Sequence, residues 1–496
     1  MQRVSNRRRF LELAAMGVAT TVIAAACAPA SVSSPTQAPA AAGSPAPTQP
    51  AAATATQAPS AAAPTPTSAP APAAGATATP SGFGKFTAQP VTAPPGYTPA
   101  TGKLEIFSWW TSGGEVEALN YLYGDFKALN PQCEIVNSAI TGGTASGGNM
   151  KAVLQTRMMG GDPPESFQIH LGHELFDSYV VAGKMEPLDT LYADEGYDKV
   201  FPKMLIELAS YQGKPYSVPC NIHRTNVLWY NTAMLKDIGA EPPTTWDELL
   251  AIAEKLKAKG VGTLGLAESS PGPSAQLFES ILMGHSFLGP AGYRGLFTGE
   301  TSWSDPKITD ALNLLAKLIP YFNPDYLSVS WGDINDLMIN RKVAMMVMGD
   351  WTPGVLWSKG FNDFGWADPP DGKGIYAFTS DSFGLPKGVK NRQAAINWLK
   401  VCGSKHGQEG FNFYKGSIPA RTDADLSQYT DYHKWANKLW TDPKTEIVGS
   451  IVHGVAAKPS FNVDFQTAIN VFVTKKDVTA AREALLKAAK DAGFKT

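Results

Sequence analysis

The sequence predicts an α/β protein of two lobes that are joined by a multi-strand hinge, with a ligand cleft between them. Short apolar runs alternate with longer runs in which apolar residues recur every three or four positions, as in strands followed by helices. The 496-residue chain is also too long for a single core, even without its low-complexity start. In addition, two extended stretches carry polar residues inside apolar runs, which is typical of segments that cross between lobes.

The first elements of the ordered part follow the order strand, helix, strand, helix, strand. Their sequences are LEIFSW, VEALNYLYGDFKAL, CEIVNSAI, MKAVLQTRMMGG and SFQIHL. This order predicts a largely parallel sheet with ligands at the carboxyl ends of its strands. Further on, TTWDELLAIAEKLKAKG has a capping threonine, an apolar stripe and a closing glycine, which predict a helix. VAMMVMGDW predicts a buried strand with polar residues at its end.

The two crossing stretches are YSVPCNIHRTNVLWYN and FTSDSFGLPKG. A chain that crosses more than once between two lobes forms a hinge. From these boundaries we expect residues 101–220 and 344–379 in the first lobe, and residues 224–340 and 383–496 in the second.

Residues 1–27 predict an export signal that is removed. Three arginines at positions 7 to 9 precede an apolar run that is too short to span a bilayer as a stable helix. NRRRFL resembles the twin-arginine motif, and the choice between Tat and Sec export stays open. AAAC at positions 24 to 27 resembles a lipobox, in which Cys27 is lipidated and becomes the mature N-terminus. The alternative is a secreted protein that is cut nearby.

Residues 28–100 consist almost entirely of Ala, Pro, Thr and Ser, and their first charged residue is Lys85. Such a segment buries little apolar surface, and its prolines interrupt helices and strands alike. We therefore expect a disordered tether that holds the folded part away from a membrane. The protein is then extracytoplasmic and anchored to the cell membrane through Cys27, in a periplasm or on the outer face of the cytoplasmic membrane.

Charge and cysteine content exclude several classes of protein. The formal net charge of −2 argues against nucleic acid as a partner. After Cys27 the chain has Cys133, Cys220 and Cys402, an odd number that lie far apart in sequence, so at most one disulfide can form and a disulfide scaffold is excluded. These cysteines also lack metal-finger spacing. The redox state of these three residues stays open. We expect a monomer without a metal or a cofactor.

Aromatic residues stand beside carboxylates at two predicted strand ends. SWWTSGGE places Trp109 and Trp110 before Glu115, and MGDW places Asp350 before Trp351. This pairing is typical of a sugar site, because the C–H face of a sugar lies on an aromatic ring while a charged acceptor takes its hydroxyl hydrogens. Neighbouring side chains on a strand point in opposite directions, so we expect one of the first two tryptophans to be in the core.

Further candidates come from a strand end and two turns. Gln168 and His170 lie on one side of a strand, and at its carboxyl end that side faces the cleft. The segment HLGHE raises the alternative of a zinc site, but it lacks the helical HExxH spacing. Lys415 in YKGSIPAR and His453 in IVHG lie in polar, glycine-flanked turns, and we expect both to contact a ligand from the second lobe.

From Lys103 to about Phe472 the chain resembles the periplasmic sugar-binding proteins of ABC importers, extracellular solute-binding family 1, and in particular the glucose-binding members. The likeness is carried by KLEIFSWWTSGGE, RMMGGDPPESFQIH, YSVPCNIHRTNVLWYN, PPTTWDEL, VAMMVMGDW, SDSFGLPKGVKNRQAAINWL, KGSIPAR and IVHG. It implies a periplasmic binding protein-like fold of type II, with one sugar held between closing lobes and a permease that docks on the closed form.

The resemblance also implies the ligand contacts, none of them catalytic. They are Trp109 or Trp110, Glu115, Gln168, His170, Asp350, Trp351, Asp381, Lys415 and His453, with Asn221 and His223 at a hinge crossing.

We therefore expect the substrate-binding component of an ABC carbohydrate importer, which captures a monosaccharide, glucose or a related hexose, and is not an enzyme. One alternative is a secreted hydrolase or lyase that uses Glu115, Asp350 and Asp381. Others are a receptor for a disaccharide and a receptor for a glycerophosphate-type ligand. The last of these calls for arginines or a helix N-terminus at the cleft, and the sequence shows no arginine cluster at the candidate site.

Overall fold

The computed structural model describes residues 84–140 and 147–496. The predicted signal peptide, the lipidation residue Cys27 and residues 28–83 of the predicted tether lie outside the described residues. The described residues belong to one compact unit. In the described ranges no helix is both long enough and apolar enough to cross a membrane.

The described strands are short and distributed over the whole compact unit. They are β1 (Gly102–Phe107), β2 (Cys133–Asn137), β3 (Ser166–His170), β4 (Ser210–Tyr211), β5 (Lys214–Pro215), β6 (Ser217–Pro219), β7 (Asn221–Arg224), β8 (Val227–Asn231), β9 (Gly262–Leu264), β10 (Val343–Met348), β11 (Phe364–Ala367), β12 (Ile375–Thr379), β13 (Asp381–Gly384), β14 (Ile418–Pro419) and β15 (Glu446–Gly449).

Helices separate most of these strands. They are α1 (Gly113–Leu129), α2 (Gly148–Gly160), α3 (His173–Leu175), α4 (Asp189–Glu195), α5 (Tyr197–Val200), α6 (Lys203–Ala209), α7 (Thr232–Lys236), α8 (Trp246–Lys257), α9 (Pro273–Leu282), α10 (Gly289–Thr298), α11 (Pro306–Leu318), α12 (Ile334–Ile339), α13 (Thr352–Ser358), α14 (Arg392–Gly403), α15 (Lys405–Lys415), α16 (Asp431–Thr441), α17 (Pro459–Lys475) and α18 (Val478–Asp491). A π-helical turn covers Phe176–Val180 and a 3₁₀ turn covers Ile319–Tyr321.

The first lobe is built on a five-stranded sheet of order β2-β1-β3-β13-β6. β1 pairs in parallel with both β2 and β3, which confirms the predicted strand–helix–strand–helix–strand start. β13 runs antiparallel to β3 and to β6. Helices α1, α14 and α15 pack together on this lobe. Large apolar side chains such as Trp110, Phe126 and Trp398 are buried there.

The second lobe has two four-stranded sheets, of order β11-β8-β10-β9 and β14-β7-β12-β15. Helices α9, α11, α17 and α18 form its main helical layer. Trp303 and Phe278 are fully buried in this part of the core. α8 forms as predicted, because the Thr245 hydroxyl accepts the Glu248 N–H while the Glu248 carboxylate accepts the Thr245 N–H.

Two strand pairs connect the lobes side by side. β6 continues into β7 through Cys220, and β12 continues into β13 through Ser380, so each stretch leaves one sheet and enters another. The Cys220 N–H donates to the Asp381 carbonyl at 2.8 Å, and the Ser380 hydroxyl donates to the Asn221 carbonyl at 2.6 Å. These connections confirm that the two predicted stretches are crossings. A third crossing leads from α15 to β14.

The strand pairing corrects the predicted lobe boundaries. β10 lies between β8 and β9, so residues 344–379 belong to the second lobe and not to the first. Residues 383–415 contribute β13, α14 and α15 to the first lobe and not to the second. The apolar pattern of a buried strand predicts that it is buried, but it does not specify which neighbour it pairs with.

Residues 84–100, the end of the predicted tether, pack on the first lobe. The Phe86 ring lies 5.8 Å from the Tyr121 ring and 5.5 Å from the Phe413 ring, measured between centroids. The Tyr97 hydroxyl donates a hydrogen bond to the residue that caps α1. The prediction of disorder is therefore wrong for this end, because its aromatic side chains supply apolar surface that the preceding Ala, Pro, Thr and Ser residues lack.

Candidate functional site

Polar and aromatic residues of both lobes meet where the crossing strands leave the first sheet. β1 and β3 end at this edge, and β13 begins there because its first residue, Asp381, pairs with His170. The second lobe contributes residues from β7 and from the segment that follows β10. The predicted strand order assigns ligands to this edge of the sheet.

Asp381 is the hydrogen-bonding centre of the site. Its carboxylate accepts from Gln168 Nε2 at 2.8 Å and from Asn221 Nδ2 at 2.8 Å, and its own N–H donates to Asn221 Oδ1 at 2.7 Å. Nε2 of His223 lies 3.3 Å from it and Nε2 of His170 lies 3.7 Å from it. Burial raises the pKa of Asp381, but the two imidazoles lower that pKa more, so the carboxylate stays charged.

His223 bridges two carboxylates. Its Nδ1 bonds to Asp350 and its Nε2 faces Asp381. Asp350 also accepts the Arg224 N–H at 3.0 Å and the Tyr432 hydroxyl at 3.1 Å. Burial and nearby Lys415 lower the pKa of His223, but the two carboxylates outweigh both and the net pKa is raised. The imidazole therefore favours its charged form.

Glu115 and Lys415 form a second buried pair. Lys415 Nζ lies 2.8 Å from Glu115 Oε1, and both side chains are almost completely buried. The same ammonium lies 5.5 Å from the Trp110 ring centroid and 5.9 Å from that of Trp351. Burial raises the pKa of Glu115 although Lys415 opposes the change. Glu115 Oε2 is buried and has no hydrogen-bond partner among the described residues.

His170 is held by a glutamate that the sequence reasoning did not select. Glu174 Oε2 lies 3.0 Å from His170 Nδ1, and Glu174 Oε1 lies 2.8 Å from Lys151 Nζ. Burial raises the pKa of Glu174, but Lys151 and His170 lower it to about 2. The other histidine of the HLGHE segment, His173, is partly exposed and bonds to Asp177. Within residues 84–140 and 147–496 no group of His, Cys, Asp and Glu side chains has the arrangement of a metal site.

Two aromatic planes contribute to the site, one from each lobe. In the first lobe, the Trp109 ring lies 5.0 Å from His170 and 4.8 Å from Lys151 Nζ. In the second lobe, the Trp351 ring lies 5.4 Å from His223. Trp110 instead packs against Phe383 and Phe411 in the core. The structure therefore agrees with the expectation that one of the two neighbouring tryptophans is a core residue.

His453 approaches from the second lobe and stays neutral. Its ring lies 5.2 Å from Trp351 and 5.6 Å from His170. Its Nδ1 lies 2.9 Å from the Ser450 hydroxyl oxygen, while its buried Nε2 has no hydrogen-bond partner among the described residues. Burial lowers the pKa of His453 well below its usual value, and the nearby cationic side chains act in the same direction.

Every cation of these ion pairs is engaged by a carboxylate of the site. Asp350 and Asp381 share His223, Glu115 pairs with Lys415, and Glu174 pairs with Lys151. Arg224, the arginine of the crossing, is engaged by Asp368 and by the Ile375 carbonyl. Such a site favours a neutral ligand with many hydroxyls over a phosphate, which needs uncompensated positive charge.

The structure brings the predicted residues together and corrects the place of Lys415. The side chains that converge are Trp109, Glu115, Gln168, His170, Asn221, His223, Asp350, Trp351, Asp381, Lys415 and His453, with Trp110 behind them in the core. Lys415 is the last residue of α15 and belongs to the first lobe, so its predicted place in a turn of the second lobe is wrong. Tyr432, Lys151 and Glu174 were missed. Only Glu174, four residues after His170, carried a signal in the sequence.

A two-lobed α/β fold, with aromatic rings and paired polar groups buried at the crossing strands, defines a solute-binding protein. The chain belongs to the bacterial extracellular solute-binding protein family, whose model matches residues 110–409. Membership of this family places the protein outside the cytoplasm.

Individual relatives agree with this assignment. The chain is 35% identical over 408 residues to an uncharacterized ABC transporter extracellular-binding protein of Pyrococcus horikoshii. This match covers 81% of this chain and 91% of that protein. It is 31% identical over 365 residues to a probable sugar-binding periplasmic protein of Rhizobium meliloti, covering 72% of this chain and 86% of that protein.

A solved structure shows the same fold. The bacterial solute receptor AcbH, described as having an exclusive substrate preference for β-D-galactopyranose, matches with a TM-score of 0.69 and 18% identity. The match covers 79% of this chain and 98% of that one. The comparisons confirm the family resemblance and the type II periplasmic binding protein-like fold that the sequence predicted.

Proposed function

We propose that the protein is the substrate-binding component of an ABC carbohydrate importer and that it captures a monosaccharide, glucose or a related hexose, between its two lobes. In this proposal Cys27 carries the lipid that holds the monomeric receptor at the membrane, and the closed form delivers the sugar to a permease. The protein carries out no catalysis.

The observation that carries the proposal is the pairing of Trp109 and Trp351 with hydrogen-bonding groups from both lobes. Each ring offers a flat apolar face, and each lies close to a histidine of the crossing region. Glu115 Oε2 and His453 Nε2 are among the polar atoms of the site that are buried without a hydrogen-bond partner among the described residues. Unpaired buried polar atoms are costly, and the hydroxyls of a sugar would pair them.

The site supplies enough energy for a sugar. A hydrogen bond to a charged group contributes roughly 1.5 to 3 kcal/mol. A few such bonds and one or two stacked rings can reach the ~8 kcal/mol of micromolar affinity after the costs of association. Asp381, Glu115 and Lys415 are the charged groups best placed to make these bonds, since all three lie beside the two rings or the histidines that border them.

In this proposal the arrangement described here is the closed one, in which the two lobes contact each other. The Glu174 N–H of the first lobe donates to the Gly454 carbonyl of the second at 3.1 Å, and the rings of His170 and His453 meet across the lobes. A ligand that touches both lobes binds this state better than an open one, and it shifts the equilibrium by that difference in affinity.

Calorimetry on the purified mature protein tests the proposal. Glucose, galactose, mannose, xylose and maltose are titrated separately. We expect micromolar or tighter binding of at least one hexose. A response to maltose with none to any monosaccharide would assign the site to a disaccharide. Heat with a phosphate ester or a peptide and with none of the sugars would overturn the proposal.

One observation favours a second candidate, a secreted glycoside hydrolase. Glu115 has a raised pKa and an unpaired oxygen, which a general acid requires. However, Asp350 and Asp381 are both engaged by His223, so neither is free to act as the partner of that acid. Incubation with labelled di- and oligosaccharides, followed by chromatography, decides between the two. Release of product that Glu115→Gln abolishes would establish the hydrolase.

A further inference from the structure

A chain of three polar side chains leads from the site into the core of the second lobe. Ser450 Oγ lies 2.9 Å from His453 Nδ1 and 2.9 Å from Glu279 Oε2. Glu279, Ser450 and His453 are all at most 1% exposed. At the inner end is the carboxylate of α9, and at the outer end is an imidazole whose Nε2 lacks a partner among the described residues.

The Ser450 hydroxyl can donate to only one of its two neighbours. A hydroxyl has one hydrogen and two acceptor lone pairs, and Ser450 Oγ already accepts the His453 N–H at 3.2 Å. If the hydroxyl donates to Glu279, it must accept from His453, so the imidazole proton is on Nδ1. If it donates to His453 Nδ1, the proton of the neutral ring is on Nε2 instead.

The surroundings of Glu279 favour the first arrangement while its carboxylate is charged. Oε1 accepts the Tyr293 hydroxyl at 2.5 Å and the Ile451 N–H, and Oε2 accepts from Ser450. The Val452 N–H is a further backbone donor to this carboxylate. A carboxylate is an acceptor only, so the Ser450 hydrogen must point toward it. His453 Nε2 then faces the site as an acceptor.

We propose that Glu279, acting through the Ser450 hydroxyl, is a positioning residue that fixes the tautomer of His453 and makes Nε2 an acceptor for one ligand hydroxyl. The inference rests on the proposed function for its ligand, but the tautomer is a property of the ligand-free protein. At this position the site then selects a sugar hydroxyl that donates and rejects a group that only accepts.

The chain of Glu279, Ser450 and His453, called the relay below, also makes the choice between a donating and an accepting ligand group sensitive to pH. Burial raises the pKa of Glu279 to about 7, against the hydrogen bonds from Tyr293, Ser450 and the backbone. In this proposal a proton added to Glu279 is on Oε2, because Oε1 already accepts both the Tyr293 hydroxyl and the Ile451 N–H. This proton is donated to Ser450. The Ser450 hydrogen then turns to His453 Nδ1, and Nε2 becomes a donor.

Other titratable groups around the relay do not substitute for Glu279. Tyr293 of α10 faces the carboxylate, and burial raises its pKa well above the usual value. The charged or titratable groups that act on His453 are His170, Lys151, His223 and Glu174. None of these four bonds to Ser450, whose side-chain partners are Glu279 and His453.

Nitrogen NMR of the ligand-free mature protein, labelled with ¹⁵N at histidine, reads the tautomer directly. His453→Asn assigns the signal by removing it. We expect the proton on Nδ1 at about pH 8 and on Nε2 at about pH 6, on either side of the Glu279 titration. A wild-type signal with the proton on Nε2 at the higher pH would overturn the proposal.

Glu279→Gln should place the proton on Nε2 at both pH values. Its amide oxygen must face the Ile451 N–H, so its NH₂ group donates to Ser450 and turns the relay around. Ser450→Ala should abolish the pH dependence of the tautomer. Glu268→Gln, a buried glutamate of the same lobe that bonds to Ser274, is the matched control and should leave the tautomer unchanged. A Glu279→Gln protein that folds and keeps the wild-type tautomer contradicts the relay, as does a pH dependence that survives in Ser450→Ala.

Deoxyfluoroglucoses connect the tautomer to the ligand, because fluorine cannot donate a hydrogen bond. At about pH 8 one member of the series should lose affinity for the wild type at least tenfold, and this loss should shrink in Glu279→Gln. An equal loss in both proteins would remove the role in selectivity. If no sugar binds at all, the proposed function fails while the NMR result still decides the relay.

Discussion

The ammonium of Lys415 and the carboxylate of Glu115, 300 residues apart in sequence, form an ion pair of 2.8 Å inside the protein. Glu115 lies in the first turn of α1 and Lys415 in the last turn of α15, so each charge is at the helix end that stabilises it. Gly114 and Gly416 flank the pair and let the backbones approach closely. The pair is therefore a fixed element of the first lobe, to which the second lobe closes.

Replacing only one member of the Glu115–Lys415 ion pair should destabilise the protein strongly. Lys415→Met leaves a buried carboxylate without its cation, and we expect the free energy of unfolding to fall by about 3 kcal/mol or more. Lys415→Met combined with Glu115→Gln removes both charges and should recover a large part of the loss. Urea denaturation of the two single variants and the double variant measures the coupling. Strictly additive losses would show that the two side chains do not stabilise each other.

Removing the aromatic plane of the second lobe should weaken sugar binding while the fold stays intact. We expect Trp351→Ala to lower affinity by an order of magnitude or more, since a stacked ring and its apolar contact are lost. Asp350→Ala should have a similar effect because it frees His223 from its partner. Calorimetry measures both variants. Trp303→Phe, in the core of the same lobe, is the control and should lower stability without changing affinity.

Unchanged affinity in both Trp351→Ala and Asp350→Ala would remove the MGDW segment from the site.

The local signals in the sequence were sufficient for most of the site. Trp109 and His170 each lie at the end of a predicted strand, and the parallel strands β1 and β3 bring these two positions to one edge. Asp350 follows the predicted strand β10 of the second lobe. The lobe boundaries were wrong because β10 has the apolar pattern of any buried strand, and its place between β8 and β9 depends on partners far along the chain.

Partner residues within the site were harder to predict than their positions. Lys151 lies on a helical face and carries no motif, yet it lies 2.8 Å from Glu174 and 4.8 Å from the Trp109 ring. Glu279 lies inside α9 and resembles any polar helix residue until the fold places it beside Ser450. Long-range contacts of this kind depend on tertiary packing, which no local pattern contains.

Acid should remove a specific part of the stability through Glu174. Its folded pKa of about 2 is depressed from 4.5, so its contribution is present above pH 4.5 and is lost as the pH falls through 2. The full contribution is about 3 kcal/mol. In urea denaturation, the stability difference between the wild type and Glu174→Gln should therefore be largest near neutral pH and shrink on acidification. A difference that stays constant with pH would show that Glu174 is not preferentially charged in the folded protein.

A single methyl group between the lobes should hinder closure. Gly354 lies in α13 of the second lobe, and a Cβ at this position would lie 2.6 Å from the Tyr414 carbonyl oxygen and 2.9 Å from that of Lys415, both on the first lobe. Both contacts are with backbone, which cannot rotate away. Alanine is otherwise favoured over glycine within a helix, so Gly354→Ala should not unfold its own lobe.

We therefore expect Gly354→Ala to bind sugar at least tenfold more weakly and to show a larger radius of gyration than the wild type when sugar is present. Calorimetry and small-angle scattering measure the two effects. Gly124→Ala is the matched control, because that glycine lies within α1 and, apart from its chain neighbours and the nearby backbone of its own helix, has no heavy atom within 4 Å of the added methyl group. It should leave affinity and radius unchanged. If Gly354→Ala binds sugar as tightly as the Gly124→Ala control, the contact between α13 and the end of α15 does not limit closure.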